Sequence, residues 1–326
     1  SGILHGQGHT ISGLYINSEK EDYQGLFGYL IGSIYNLNLV NSFVKGGNYV
    51  GALAGRVDVV ENVFVEAVVE GQNVVGGIVA NLSRRISHAI FKGAVKGANY
   101  VGGIFGYSSI SYQYASGVEY CDNYGTIIGK DVVGGISGNF YMDVAEGSYL
   151  YKLRNFGNIF GRNNVGGIFG ILSLDRDGSD NKPGYKFKYL RNMGEVSGND
   201  MVGGLMSAYY TGRSGDGSHV IAYSYNAGRV RADSTAYPLF DHAKWHAGYE
   251  DVPYSSHCYN FAEIYGPNLI EERISPNLID NYADSLGPDY VPDTGATKIN
   301  RGYPILVEES KNFRYLKGSG TPDDPF

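Results

Sequence analysis

Residues 97–106 read GANYVGGIFG, and the chain returns to that phrase: GGNYVGALAG from Gly46, GQNVVGGIVA from Gly71, GKDVVGGISG from Gly129, GRNNVGGIFG from Gly161 and GNDMVGGLMS from Gly198. A fainter copy precedes them at Tyr23–Gly28, and degenerate copies follow around Ala232 and Gly266. Taking 46, 71, 97, 129, 161, 198, 232 and 266 as anchors, the gaps are 25, 26, 32, 32, 37, 34 and 34 residues. The repeat tolerates insertion. Self-similarity at this period marks a stack of like units rather than a single folded core.

Columns read back from each anchor show what the repeat preserves. Two residues before it stand Val44, Val69, Val95, Ile127, Ile159, Val196, Val230 and Ile264, all β-branched, and four before it stand Ser42, Ala67, Gly93, Gly125, Gly157, Gly194, Gly228 and Ala262, all small. Thr126, Asn158, Glu195, Arg229 and Glu263 lie between these columns, which gives the period-two alternation of a half-buried strand. After the anchor, the aligned Val50, Val75, Val101, Val133, Val165 and Val202 supply a second short strand.

Strands that recur with the same facing residues stack most simply as coils of a parallel β-helix, whose crossovers are right-handed. Coils of 25 and 26 residues are too short for propeller blades of roughly 40 residues. The expectation is an all-β, right-handed parallel β-helix of about eight coils over residues 1–266. Seven of the ten prolines fall after Gly266, where the phrase stops, so residues 267–326 are expected to form a C-terminal cap and linker on the same domain.

Six residues before the anchor the series runs Val40, Val65, Phe91, then Asn123, Asn155, Asn192, Asn226 and Asn260. Asparagines one rung apart can exchange amide hydrogen bonds along the axis, forming a structural ladder; turn asparagines that tolerate a left-handed backbone are the alternative. Cys121 and Cys258 share the column eight before the anchor. Four rungs part them, about 19 Å at strand spacing, so no disulfide is expected.

Of 326 residues 48 are glycine, about twice the usual share, while 43% are hydrophobic and 18% charged. The glycine has no Gly-X-Y period and serves the repeat columns, which excludes collagen, and the apolar content excludes disorder. A formal charge of -7 argues against nucleic acid as a partner. No apolar run reaches the roughly 18 residues of a membrane-spanning helix, and the first residues lack the features of a signal peptide.

The phrases Gly25-Leu26-Phe27-Gly28, Gly103-Ile104-Phe105-Gly106 and Gly167-Ile168-Phe169-Gly170 resemble the GLUG repeats, and HGQGHTISGLYIN and INRGYPIL resemble phrases that flank such repeats in bacterial surface proteins. The likeness covers roughly residues 1–306. It implies an extracellular or cell-surface setting, as in adhesins or the non-catalytic region of immunoglobulin A1-specific metallopeptidases. The terminal GSGTPDDPF is similar to a phrase that opens such modules, so the natural protein is expected to continue.

Catalytic signatures are weak. His242 and His246 are spaced as on one helical face, but Ala243 stands where the His-Glu-x-x-His zinc motif needs its base. The run from Asp175 through Asp177 and Asp180 opens like a calcium loop, yet an EF-hand would need Gly at Asp180 and Glu at Lys186. Some polysaccharide lyases and glycosidases use β-helices, but no repeat column holds a matched acid pair. No enzyme activity, metal or cofactor is therefore expected.

Insertions gather at one point of the coil and so emerge along one edge, which carries Tyr107, Tyr112, Tyr114, Tyr141, Tyr149, Tyr209 and Tyr210. Tyrosines on protruding segments suit recognition of a protein or glycan, and they suit cover for the coil equally well. The expected protein is a monomeric scaffold or adhesin that binds a host or matrix protein or a glycan.

Overall fold

A computed structural model describes residues 2–110, 116–143, 148–175, 186–211, 221–244, 255–269, 286, 288–293 and 303–311. Four strands make one coil, as in Asn99–Gly102, Phe105–Ile110, Gly117–Asn123 and Thr126–Ile128. Each pairs in parallel with its counterpart one coil later, so that Val101 meets Val133, Phe105 meets Ser137, Cys121 meets Leu153 and Ile127 meets Ile159. The short Val-Gly strands form an 8-stranded sheet from Val50–Gly51 to Asn268–Leu269. The architecture is a parallel β-helix.

Its core is one continuous apolar cluster. The β-branched column runs in register from Val44 to Ile264, and Val44 through Val230 are fully buried. Cys121 and Cys258 occupy one column with Leu153, Leu190 and Ser224, and both are free thiols.

In the N-terminal coils, three sides merge into the single bent strands Phe27–Lys45, Ala54–Glu70 and Val79–Lys96. Unlike charges face each other across the rungs: Glu66 lies opposite Lys92 and Glu70 opposite Lys96, Lys45 reaches Glu70 at 3.5 Å, and Arg85 lies 3.8 Å from Glu61. A slip of one residue would turn every buried side chain outward and set these charges against apolar neighbours. A bulge between Leu39 and Ser42 adds a residue, so Leu39, and not Val40, is the rung partner of Val65.

From Asn123 onward the same column carries amides. Nδ2 of Asn123 donates to Oδ1 of Asn155 at 2.7 Å, Asn155 to Asn192 at 2.8 Å, Asn192 to Asn226 at 2.7 Å and Asn226 to Asn260 at 2.8 Å. Each amide also donates to the carbonyl two residues on, from Gly125 to Ala262, and Asn123, Asn192 and Asn226 accept from the backbone N–H there. The chain of amides therefore holds the turn within a coil as well as the contact between coils.

A second amide column lies on the outer side of the short-strand sheet. Asn99 donates to Asn73 at 2.6 Å, Asn73 to Asn48 at 2.8 Å and Asn48 to Asp22 at 2.9 Å. Asn163 donates to Asp131 at 2.7 Å.

The described part of the C-terminal segment lies along the side of the stack. Tyr290–Val291 and Ile305–Leu306 form a two-stranded antiparallel pair, followed by the single helical turn Val307–Lys311. This strap shares a second apolar cluster with the coils, joining Leu286, Tyr290 and Leu306 to Tyr189, Met193, Tyr225 and Phe261.

Candidate functional site

Coil length varies most at one corner, between the second and third strands. In the N-terminal coils the corner is spanned by Ile31 and Gly32, by Asp58, and by Ser83 and Arg84, where the pairing shifts register. In later coils the flanking strands close in register on both sides: Ile110, Met142, Leu174, Thr211 and Lys244 form one column, and Gly117, Tyr149 and Lys186 another. The described strand ends that flank 111–115, 144–147, 176–185, 212–220 and 245–254 therefore lie along a shared edge. Tyr112 and Tyr114 lie in the first of these, outside the described residues.

Tyr107, Tyr141, Tyr149 and Tyr210 surround this corner, each half-buried. Tyr107 sets its ring edge-on to Tyr100, with centroids 5.8 Å apart. The Tyr141 hydroxyl donates to Asp143 at 2.7 Å and lies 3.5 Å from an Asp175 oxygen; burial and these carboxylates push its pKa up. Burial, with Glu119 beside it, also raises the pKa of Tyr149. These hydroxyls stay protonated and serve as donors.

Tyr209 departs from the expected set. It is fully buried, facing inward between Leu172 and the next coil, with its ring edge-on to Phe240 at 5.7 Å. Side chains alternate along a strand, so of the adjacent Tyr209 and Tyr210 only one can face out. Tyr209 is a core residue.

A second feature was not foreseen. Asn36, Asn62, His88, Tyr120, Lys152, Tyr189, Tyr223 and His257 each adopt a left-handed backbone, with φ between 51° and 66°, and mark one bend in successive coils. Where they project they stack. Asn62 donates to Asn36 at 2.6 Å, the rings of His88 and Tyr120 lie 4.6 Å apart, and those of Tyr223 and His257 lie 5.0 Å apart. Lys152 sits over the rings of Tyr120 and Tyr151 at 4.9 and 4.6 Å, and Lys188 lies 4.7 Å from the Tyr189 ring centre, which are cation–π contacts.

The strap meets this strip. Glu309 accepts two hydrogen bonds from Arg191, at 2.8 and 2.5 Å, and one from Arg154 at 2.8 Å. Glu308 pairs with Lys152, and Asp289 accepts from Tyr189. Burial alone would raise the Glu309 pKa, but the two guanidinium groups outweigh it and hold the carboxyl at about 2. Asp122, in turn, accepts two bonds from Arg154, at 2.7 and 2.5 Å.

Among the described residues no three His, Cys, Asp or Glu side chains converge as a metal site would require. His246, Asp177 and Asp180 lie outside those residues, as does the side chain of His242. Burial pushes the Cys121 thiol far up, which leaves it a packing group rather than a nucleophile. No described helix is long and apolar enough to cross a membrane.

One known protein is locally similar. Halomucin of Haloquadratum walsbyi is 44% identical over 82 residues. The likeness covers 24% of this chain and 1% of Halomucin's length. No family model matches the chain, and no solved structure matches it.

Proposed function

We propose that this chain is a non-catalytic scaffold or adhesive module of a secreted or cell-surface protein, binding a protein or glycan at the insertion corner. The observation that carries this reading is the alignment, along one edge, of the strand ends that flank the inserted segments, with half-buried tyrosines around them. A rigid stack whose long insertions fall at one corner suits a repeat protein with a binding edge. The phrases similar to GLUG repeats support a bacterial surface setting, and the local likeness to Halomucin fits it.

A panel of matrix proteins, immunoglobulin A and immobilised glycans, probed with the chain and with Tyr141→Ala/Tyr149→Ala/Tyr210→Ala, tests the reading. A ligand bound by the first and lost about tenfold by the second is expected, since aromatic contacts dominate such surfaces. A ligand whose binding survives the triple substitution would move the site elsewhere. Release of reducing ends from a glycan would replace the binding reading with an enzymatic one.

A further inference from the structure

The strap shows, by what it places there, which chemistry the side of the stack accepts. Lys152, Arg154, Lys188 and Arg191 line that side among the rings of Tyr151, Tyr189 and Tyr223, and the strap answers with Asp289, Glu308, Glu309 and Tyr290. No β-ladder joins strap to coil, because its two strands pair with each other alone among the described residues. The attachment is made by side chains: the ion pairs, the apolar cluster, and the bonds that Tyr225 and Tyr290 donate to the carbonyls of Pro304 and Tyr223. The strip also outruns its occupant, since the stacked His88 and Tyr120 continue it into coils where both rings are exposed. Finally, Nε of the fully buried Arg191 has no acceptor among the described residues, so one charged donor is unspent.

We propose that this strip is a docking site for extended acidic peptides bearing a tyrosine, and that the strap occupies it in cis as a displaceable stand-in for such a partner. Charge complementarity selects the class: two lysines set over tyrosine rings, with two arginines beside them, reward carboxylates and an aromatic side chain. A ligand in trans must compete with the strap, so its apparent affinity is reduced by the fraction of molecules whose strip is open. The proposal is separate from the insertion corner, and the failure of one leaves the other standing.

The test uses the full chain and a labelled synthetic peptide of residues 286–311. Asp289→Asn/Glu308→Gln/Glu309→Gln weakens the strap in cis and is expected to bind the peptide at least about tenfold more tightly than the unaltered chain does, because the open fraction rises. A peptide carrying the same three substitutions should lose that gain. Equal binding by the folded variant and the unaltered chain overturns the proposal. Should the triple variant fail to fold, Glu308→Gln alone decides, since that carboxylate is half exposed. A gain of about threefold supports the proposal, and none overturns it.

Discussion

The N-terminal and C-terminal coils close the same corner in two ways. In the first, Leu39, Val65 and Phe91 fill it with hydrocarbon; in the second, Asn123 to Asn260 fill it with a chain of amides. The apolar corner leaves the turn's backbone groups to find other partners, whereas the amide corner binds them itself. Insertions and strap both belong to the amide-cornered half. This pairing has a physical reason: an amide chain fixes each turn against the next regardless of how much chain departs upstream. The lesson is that the ladder supplies register where long connections would otherwise loosen it.

Asn192→Leu should break the comparison most severely. It strands the Asn155 amide donor and the Gly194 N–H in a buried site and takes one of two donors from the Asn226 oxygen, at a cost of about 4 kcal/mol, since each orphaned group costs about 1–3 kcal/mol. Val65→Ile, a modest overpacking at the equivalent apolar corner, should cost about 1 kcal/mol. Denaturant midpoints measure both. Equal costs would mean that the amides are passengers in a corner held by packing alone.

Acid should separate the halves next. Glu309 has a pKa of about 2 in the fold against 4.5 in a free chain, so its carboxylate stabilises the strap fully above pH 4.5. That contribution, about 3 kcal/mol at about 1.4 kcal/mol per pH unit, is lost as the pH falls from 4.5 towards 2. Hydrogen exchange should then rise in strands Lys186–Asn192 and Ile221–Asn226, beneath the strap, before it rises in Ala54–Glu70. Glu309→Gln should produce the same pattern at neutral pH, since it leaves Arg191 buried without its carboxylate. Simultaneous loosening of both halves would show that the strap is not a separate unit.

Much of this was legible because a repeat compares a sequence with itself. The β-branched column, the asparagine column and the shared column of Cys121 and Cys258 need only a constant offset from the anchor. The inward facing of Tyr209 was legible too, for eleven residues after the anchors stand Val57, Leu82, Ser108, Phe140, Leu172 and Tyr209, a mostly apolar column. Its signal is lost if tyrosines are gathered by type without following the alternation through the glycine corner. The bulge that puts Leu39 in place of Val40 has no such signature, because one extra residue shifts the offsets without changing composition. Nor has the strap. The meeting of Glu309 with Arg154 and Arg191 crosses more than a hundred residues of chain, and no periodicity reaches across a segment that does not repeat.

The smallest expected effect tests the comparison at one atom. The second glycine of the Val-Gly-Gly phrase packs over the corner residue of its own coil: a Cβ on Gly135 would lie 2.6 Å from the Asn155 side chain and 2.2 Å from the Gly167 carbonyl. Over Val65 the same position is Ala52, fully buried, so that apolar corner accommodates a methyl group; over Phe91 it is Gly77, whose Cβ would lie 2.6 Å from the ring. Gly135→Ala should therefore cost about 2 kcal/mol by overpacking. Ala52→Gly should cost about 1 kcal/mol, from a lost buried methyl and a freer unfolded chain. At a site without close neighbours, Gly→Ala stabilises by about 0.4–1 kcal/mol through the unfolded chain. A stabilised Gly135→Ala would show that the glycine is not set by the ladder, and that the two corners differ in chemistry but not in the space they leave.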